Sequence, residues 1–118
     1  MKKIALLTIA FALILIKVQP ADINIGQVNN FPVVITNAKI LNTDAPVVFL
    51  ISGDGGWYSF EQNIADHLAI LGLPTVGLDS KKYFWKRRTP EETASDVERT
   101  LNYYGKEWGK ERFLLIGY

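Results

Sequence analysis

No cysteine occurs anywhere in this chain, which excludes a disulfide framework and a thiolate metal site together. Histidine occurs once, at His67. On a helical wheel it falls beside Phe60, Ile64 and Leu71, the setting of a partly buried packing residue. The two familiar nucleotide-binding signatures are missing as well. The glycine-rich segment that starts at Gly53 has no Lys-Ser/Thr after it and lacks the G-x-G-x-x-G spacing. There is no internal repeat and no low-complexity tract. Charge is almost balanced, with 13 Lys and Arg against 12 Asp and Glu. That balance gives no global attraction to nucleic acid, so electrostatic specificity has to be local. At 118 residues one domain is the most the chain can form.

What is present begins with a short basic head, Met1-Lys2-Lys3, followed by an uncharged apolar run from Ile4 to Ile16. The run is too short for a bilayer, which takes roughly 20 residues, and suits the apolar region of a secretory signal. Ala21 is a small residue at a plausible cleavage point, although Gln19 two places earlier is not small. An uncleaved N-terminal anchor is the alternative. We therefore expect a signal peptide or anchor over residues 1–21, a folded part over residues 22–118, and export to the periplasm. Cleavage removes three of the 13 basic residues and no acidic one, leaving the folded part slightly acidic. Its stability is expected to be marginal at this size.

From Asp22 to Asp44 the patterning is weak. Phe31 to Thr36 reads as a strand, with Pro32 placing it at an edge or a strand start. From Pro46 the punctuation becomes regular. Val47 to Ile51 is a continuous apolar run, the pattern of a strand buried on both faces of a parallel sheet. After a glycine-rich loop, Ser59-Phe60-Glu61-Gln62 predicts a capping box with Ser59 as the cap and Gln62 reaching back. Phe60, Ile64, Leu68 and Leu71 follow at helical spacing, and Gly72 supplies a left-handed stop. Thr75 to Leu78 is the next strand. Ser80 to Arg88 reads as a basic and aromatic loop. Thr89-Pro90-Glu91-Glu92 then predicts a second helix start, with Thr as cap and Pro at the first position. Ala94, Val97, Leu101, Tyr104 and Trp108 make one stripe on that helix. Gly109-Lys110 ends it, and Phe113 to Ile116 is a third apolar strand. Strand, helix, strand, helix, strand at this spacing predicts two right-handed βαβ units and an α/β fold with a parallel sheet core and two crossover helices. The strand Phe113–Ile116 is expected beside Val47–Ile51, with Thr75–Leu78 on the other flank.

Three segments carry candidate chemistry. Gly53, Asp54, Gly55, Gly56 and Trp57 form a loop at the end of the first core strand. Its glycines let the backbone approach a ligand and aim amides at one point; a tight turn needing glycine only for geometry is the alternative. Asp54 can orient a substrate or simply stabilise that turn. Asp79 ends a strand at the edge where parallel sheets gather their sites, or caps the turn after it. Ser80, Lys81, Lys82, Tyr83, Trp85, Arg87 and Arg88 belong to a stretch with five cations around three aromatics. It is either a solvated loop packed on the sheet end or an interfacial patch, cations for anionic head groups and rings for the lipid boundary. The third segment is Arg112 to Tyr118, an apolar strand delivering Gly117-Tyr118. In an α/β-hydrolase such a strand leads into the nucleophile elbow G-x-S-x-G, which puts the serine one place past Tyr118.

Taken together, Ser52-Gly53-Asp54-Gly55-Gly56-Trp57, Gly77-Leu78-Asp79-Ser80 with Tyr83-Phe84-Trp85, Thr89-Pro90-Glu91 with Asp96, and Leu115-Ile116-Gly117-Tyr118 resemble the bacterial virulence protein VirJ/AcvB family. The resemblance spans Val47 to Tyr118, with four motifs in one order. It implies a partial α/β-hydrolase-like three-layer fold, a periplasmic location, links to virulence and type IV secretion, and hydrolysis of aminoacylated phosphatidylglycerol. It also implies that Gly53 to Trp57 form the oxyanion loop and that Asp79 to Arg88 border the substrate. In the family, Gly-Tyr is followed by Ser-x-Gly, so nucleophile, acid and base are all expected beyond Tyr118; His67 precedes the nucleophile and is not expected to be the base. The sequence thus predicts the N-terminal part of a serine hydrolase acting on a small ester or an anionic lipid, inactive over residues 1–118, without metal or cofactor and without nucleic acid as partner. The alternative is a non-enzymatic envelope protein that binds membrane or secretion-system proteins through its basic-aromatic loop.

Overall fold

In the computed structural model residues 30–118 are described; the expected signal segment lies outside the described residues. Within them the elements run β1 (Val33–Thr36), β2 (Val47–Ile51), α1 (Ser59–Ile70), β3 (Thr75–Leu78), α2 (Ser80–Tyr83), α3 (Pro90–Glu107) and β4 (Phe113–Ile116). The four strands form one sheet in the order β1-β3-β2-β4. β2 pairs parallel with β3 on one side and with β4 on the other, as its uninterrupted apolar run predicts. β1 adds antiparallel to β3 at the edge, where Pro32 at its start costs no ladder bond. Val47, Val48, Phe49 and Leu50 are wholly buried, and each such side chain contributes about 1.5–3 kcal/mol by leaving water.

Strand alternation sorts these residues onto two faces. Val47 and Phe49 of β2, with Val76 and Leu78 of β3, share one cluster with Phe31, Tyr83 and Leu101. The stripe of α3 closes this side: Val97, Leu101, Tyr104 and Trp108 all pack on the cluster. Ala94 lies beyond the contact and is exposed. The start of α3 is as expected. Glu92 N–H donates to Thr89 Oγ1 at 3.1 Å, Thr89 N–H donates to the Glu92 carboxylate at 3.1 Å, and Pro90 takes the first helical position.

The opposite face carries Val48, Leu50, Thr75 and Gly77, and there α1 departs from expectation. Its cap is Tyr58, not Ser59, and the residue reaching back is Glu61, not Gln62: Tyr58 N–H donates to Glu61 Oε2 at 2.9 Å. The Tyr58 side chain makes no capping bond, so a carboxylate at the third position does this work alone. Gln62 is engaged elsewhere, by Trp57, Thr36 and Asp66. The buried face is Glu61, Ala65 and Ala69, while Phe60 and Leu71 are each 60% exposed. On this side the Trp57 ring covers Gly77, and α1 turns only its small residues Ala65 and Ala69, with Glu61, inward. Gly72, at φ +82°, ends the helix region as expected.

Ser80 to Tyr83 is a helical turn where a loop was expected. Asp79 caps it, accepting from Lys82 N–H at 3.1 Å. Among the described residues no helix is long and apolar enough to cross a membrane.

Candidate functional site

The chain leaves β2 toward β3 on one side and returns past it to β4 on the other, so the carboxyl end of β2 is a point where the strand order switches. Crevices form there because successive connections diverge. Three segments meet at this edge: the glycine loop after β2, Asp79-Ser80 after β3, and Gly117-Tyr118 after β4.

Two buried serines fix the first two segments to each other. Ser80 N–H donates to Ser52 Oγ at 2.9 Å and Ser80 Oγ–H donates to the Ser52 carbonyl at 2.8 Å. Ser52 Oγ–H in turn donates to the Gly53 carbonyl at 3.1 Å. Both hydroxyls are thereby committed to holding backbone. The loop then closes with Gly56 N–H on the Gly53 carbonyl at 3.1 Å. Gly56 sits at φ +101°, and a Cβ there would stand 3.0 Å from Asp79 Oδ1; backbone shape and close approach both demand glycine. Gly55 has open space around it and Asp54 is exposed. Among the described residues no backbone acceptor takes the N–H groups of Asp54 or Gly55, leaving two donors at the rim of the crevice. Trp57 folds away from them. Its ring lies where a Cβ of Gly77 would be, 2.1 Å from that point, and its Nε1–H donates to Gln62 at 3.1 Å.

Tyr118 lies over the loop from the β4 side. Its ring is 3.5 Å from the Cβ position of Gly53 and meets Phe60 edge-on at 5.6 Å between centroids. Its hydroxyl donates to the Glu61 carboxylate, which is buried in the first turn of α1. That bond, together with the Tyr58 amide, outweighs burial and holds the Glu61 carboxyl below the usual carboxylate range. The same bond is the main reason the Tyr118 hydroxyl is pushed up. Glu61 was not among the residues expected at the site. The signal was a Glu three places after Tyr58, readable only with the helix start placed one residue earlier.

Two clefts flank the loop. One, of about 510 Å³, is lined by Ser52, Gly53, Asp54 and Tyr118 among others; the second, of about 520 Å³, by Gly55, Gly56, Trp57, Asp79 and Lys82. Lys81 and Trp85 border both. The glycine loop and the basic-aromatic segment therefore do meet. Asp79 is buried and serves as the cap of α2, with Lys82 Nζ 3.9 Å from its carboxylate.

Three residues expected to border a substrate stand elsewhere. Tyr83 is a core residue, 1% exposed, because the helical turn of α2 rotates it inward onto Phe31. Its hydroxyl donates to Asp96 Oδ2 at 2.7 Å, and burial pushes that hydroxyl up. Arg88 stacks on the Tyr83 ring at 4.7 Å and borders a groove along α3 and β4. Arg87 is exposed and lines neither cleft. His67 is exposed, its Nδ1 2.7 Å from the Asn63 carbonyl, rather than packed at the apolar margin. Among the described residues no three His, Asp or Glu side chains come together in a way that could hold a metal ion.

Residues 44–118, more than half of the chain, match the family model described as Bacterial virulence protein (VirJ). No curated protein and no solved structure matches the chain.

Proposed function

The chain belongs to the bacterial virulence protein VirJ family, and from that membership we propose that its crevice serves hydrolysis of an ester or aminoacylated phospholipid in the manner of an α/β-hydrolase. One observation carries the reading. The glycine loop, the end of β4 and the basic-aromatic segment converge at the carboxyl edge of β2, with the amides of Asp54 and Gly55 unspent. On this reading a serine following Tyr118, on the turn that β4 leads into, attacks the acyl carbonyl and gives its proton to a base. The carbonyl oxygen takes up negative charge facing the loop amides. The alcohol then leaves with the proton, and water releases the acyl group from the serine. Removing one such amide donor costs about 10²–10³ in kcat. Lys81, Lys82 and Trp85 border the clefts from outside and suit an anionic head group at a lipid boundary. Acid and base belong to sequence beyond Tyr118, and the periplasm is the compartment in which the substrate would be met.

A second reading, binding to membrane or secretion partners without turnover, is favoured by Trp85, which is 81% exposed among exposed lysines.

The test compares the 118-residue polypeptide with the chain encoded by the gene read beyond the Tyr118 codon. Both are assayed on vesicles containing aminoacylated phosphatidylglycerol and on a simple soluble ester. Turnover by the longer chain, abolished by changing the serine after Tyr118 to Ala, is the expected result. Turnover by the shorter chain, lost on Ser52→Ala or Ser59→Ala, would relocate the active site. Vesicle binding lost on Trp85→Ala, with no turnover in either chain, would leave the second reading standing.

A further inference from the structure

We propose that Glu61 is a positioning residue, a buried latch that clamps the end of β4 onto the glycine loop and thereby sets the loop amides for the reaction proposed above, on which this inference rests. Glu61 is 5% exposed, yet no cation pairs with it: the ion pairs among the described residues are Lys82 with Asp79 and Arg99 with Asp96. A buried carboxylate without a counter-ion is costly unless hydrogen bonds satisfy it. Here the satisfaction is divided between the two parts of the site. One oxygen accepts the Tyr58 amide at the mouth of α1, directly after the glycine loop; the other accepts the hydroxyl of Tyr118.

Capping a helix requires only the first of these bonds, and an exposed carboxylate makes it equally well. The second bond joins residues 57 positions apart in sequence and gives the burial a purpose. It fixes the Tyr118 ring between Gly53 and Phe60, at 3.5 Å from the Cβ position of one and 5.6 Å from the ring of the other. Apart from these contacts and an interaction of its hydroxyl with the Gly53 backbone, the ring is open to solvent, with Tyr118 64% exposed. The backbone leaving β4 and the backbone of the loop are thus tied through one carboxylate, so that the donor amides and whatever follows Tyr118 keep a fixed separation. Misplacing reacting groups by about 1 Å costs on the order of 10²-fold in rate, which is the scale on which such a latch acts.

The test uses the gene-encoded chain and three variants, Glu61→Gln, Tyr118→Phe and the double variant. Tyr118→Phe keeps the ring and removes the hydroxyl alone. Three quantities are read: kcat and KM on the aminoacyl-lipid, the melting temperature, and the backbone amide resonances of Gly53 and Gly55. The latch predicts that either single change lowers kcat by about tenfold or more with KM little altered. It also predicts that the double variant is no worse than Glu61→Gln, which disturbs both bonds of the carboxylate, because the Tyr118 hydroxyl acts through that carboxylate. The Gly53 and Gly55 resonances shift in the same direction in both singles, while the melting temperature of Tyr118→Phe stays close to that of the parent. Additive losses in kcat, or loop resonances that stay in place when the hydroxyl is removed, overturn the proposal. The amide resonances decide the latch even where no chain shows turnover; that result would end the hydrolase reading and leave the clamp to be judged by its own signal.

Discussion

Two single residues show how closely this sheet is packed on its α1 side. Gly77 lacks a side chain because the Trp57 ring occupies the place a Cβ would take, 2.1 Å from it. Gly77→Ala therefore forces the ring or the strand aside, and overpacking of this kind costs about 1–3 kcal/mol. Urea unfolding should show that loss, and a variant as stable as the parent would mean that Trp57 does not sit there. Glu61 makes stability depend on pH, with a definite sign. Its carboxyl titrates lower in the folded chain than in the unfolded one, chiefly through the Tyr118 hydroxyl and the Tyr58 amide. The stabilisation is thus fully present above the unfolded glutamate value of about 4.3 and is lost as pH falls through the lower folded value. The stability gap between the parent and Glu61→Gln should be widest near neutrality and shrink toward pH 3. A gap that widens on acidification would contradict the assignment.

At the level of elements, the first half of α3 is set by its cap and by one hydroxyl from α2. Thr89→Ala removes the acceptor for the Glu92 amide and should cost about 1 kcal/mol, measured as a lower urea midpoint with unchanged slope. Tyr83→Phe removes the bond from α2 to Asp96 and leaves Arg99 as that carboxylate's partner; losing a hydrogen bond to a charged group costs about 1.5–3 kcal/mol, and no loss of stability would show that the bond is not made. Much of this architecture was legible in the sequence. The Thr89-Pro90 start works through local chemistry and so reads locally. The placing of β2 between β3 and β4 followed from a run apolar on both faces. What was hidden depended on partners distant in the chain. Phe60 and Leu71 read as the buried stripe of α1 on hydrophobicity alone, whereas the face turned inward is Glu61, Ala65 and Ala69, beside a Trp57 ring that already fills the space over Gly77. Tyr83 looked like a rim residue for a similar reason: no pattern in Ser80 to Arg88 announces the single helical turn that carries it inward to Asp96. At the site, the glycine loop and its meeting with Lys81 and Trp85 were readable, but Glu61 was concealed by a helix start displaced by one residue.

For the molecule as a whole, the two edges of the sheet differ. β1 starts behind Pro32 and runs antiparallel at its edge, with every residue half-buried. β4, at the other edge, is Phe-Leu-Leu-Ile without a charge or proline, and Leu114 and Leu115 are 45% and 57% exposed. The groove beside it, of about 790 Å³ and bordered by Phe84, Val97, Leu101, Phe113 and Leu115, extends the apolar surface onto α3. An edge strand of this kind, with unpaired backbone groups and nothing to repel a neighbour, is a template for another strand. The 118-residue polypeptide should therefore self-associate through β4, and sedimentation velocity should show a dimer that grows with concentration. Leu115→Lys places a charge on that edge at an exposed position, so it should shift the distribution to monomer while changing stability by no more than about 0.5 kcal/mol. Val34→Lys, on the β1 edge, should leave association unaltered. A parent that stays monomeric at submillimolar concentration would show the β4 edge to be protected. So would a dimer indifferent to Leu115→Lys but abolished by Val34→Lys, which would move the contact to the opposite side of the sheet. The chain read beyond Tyr118 supplies the complementary measurement: if its added sequence pairs with β4, the same concentration series should show monomer throughout, because the edge that drives association has found its partner within the chain.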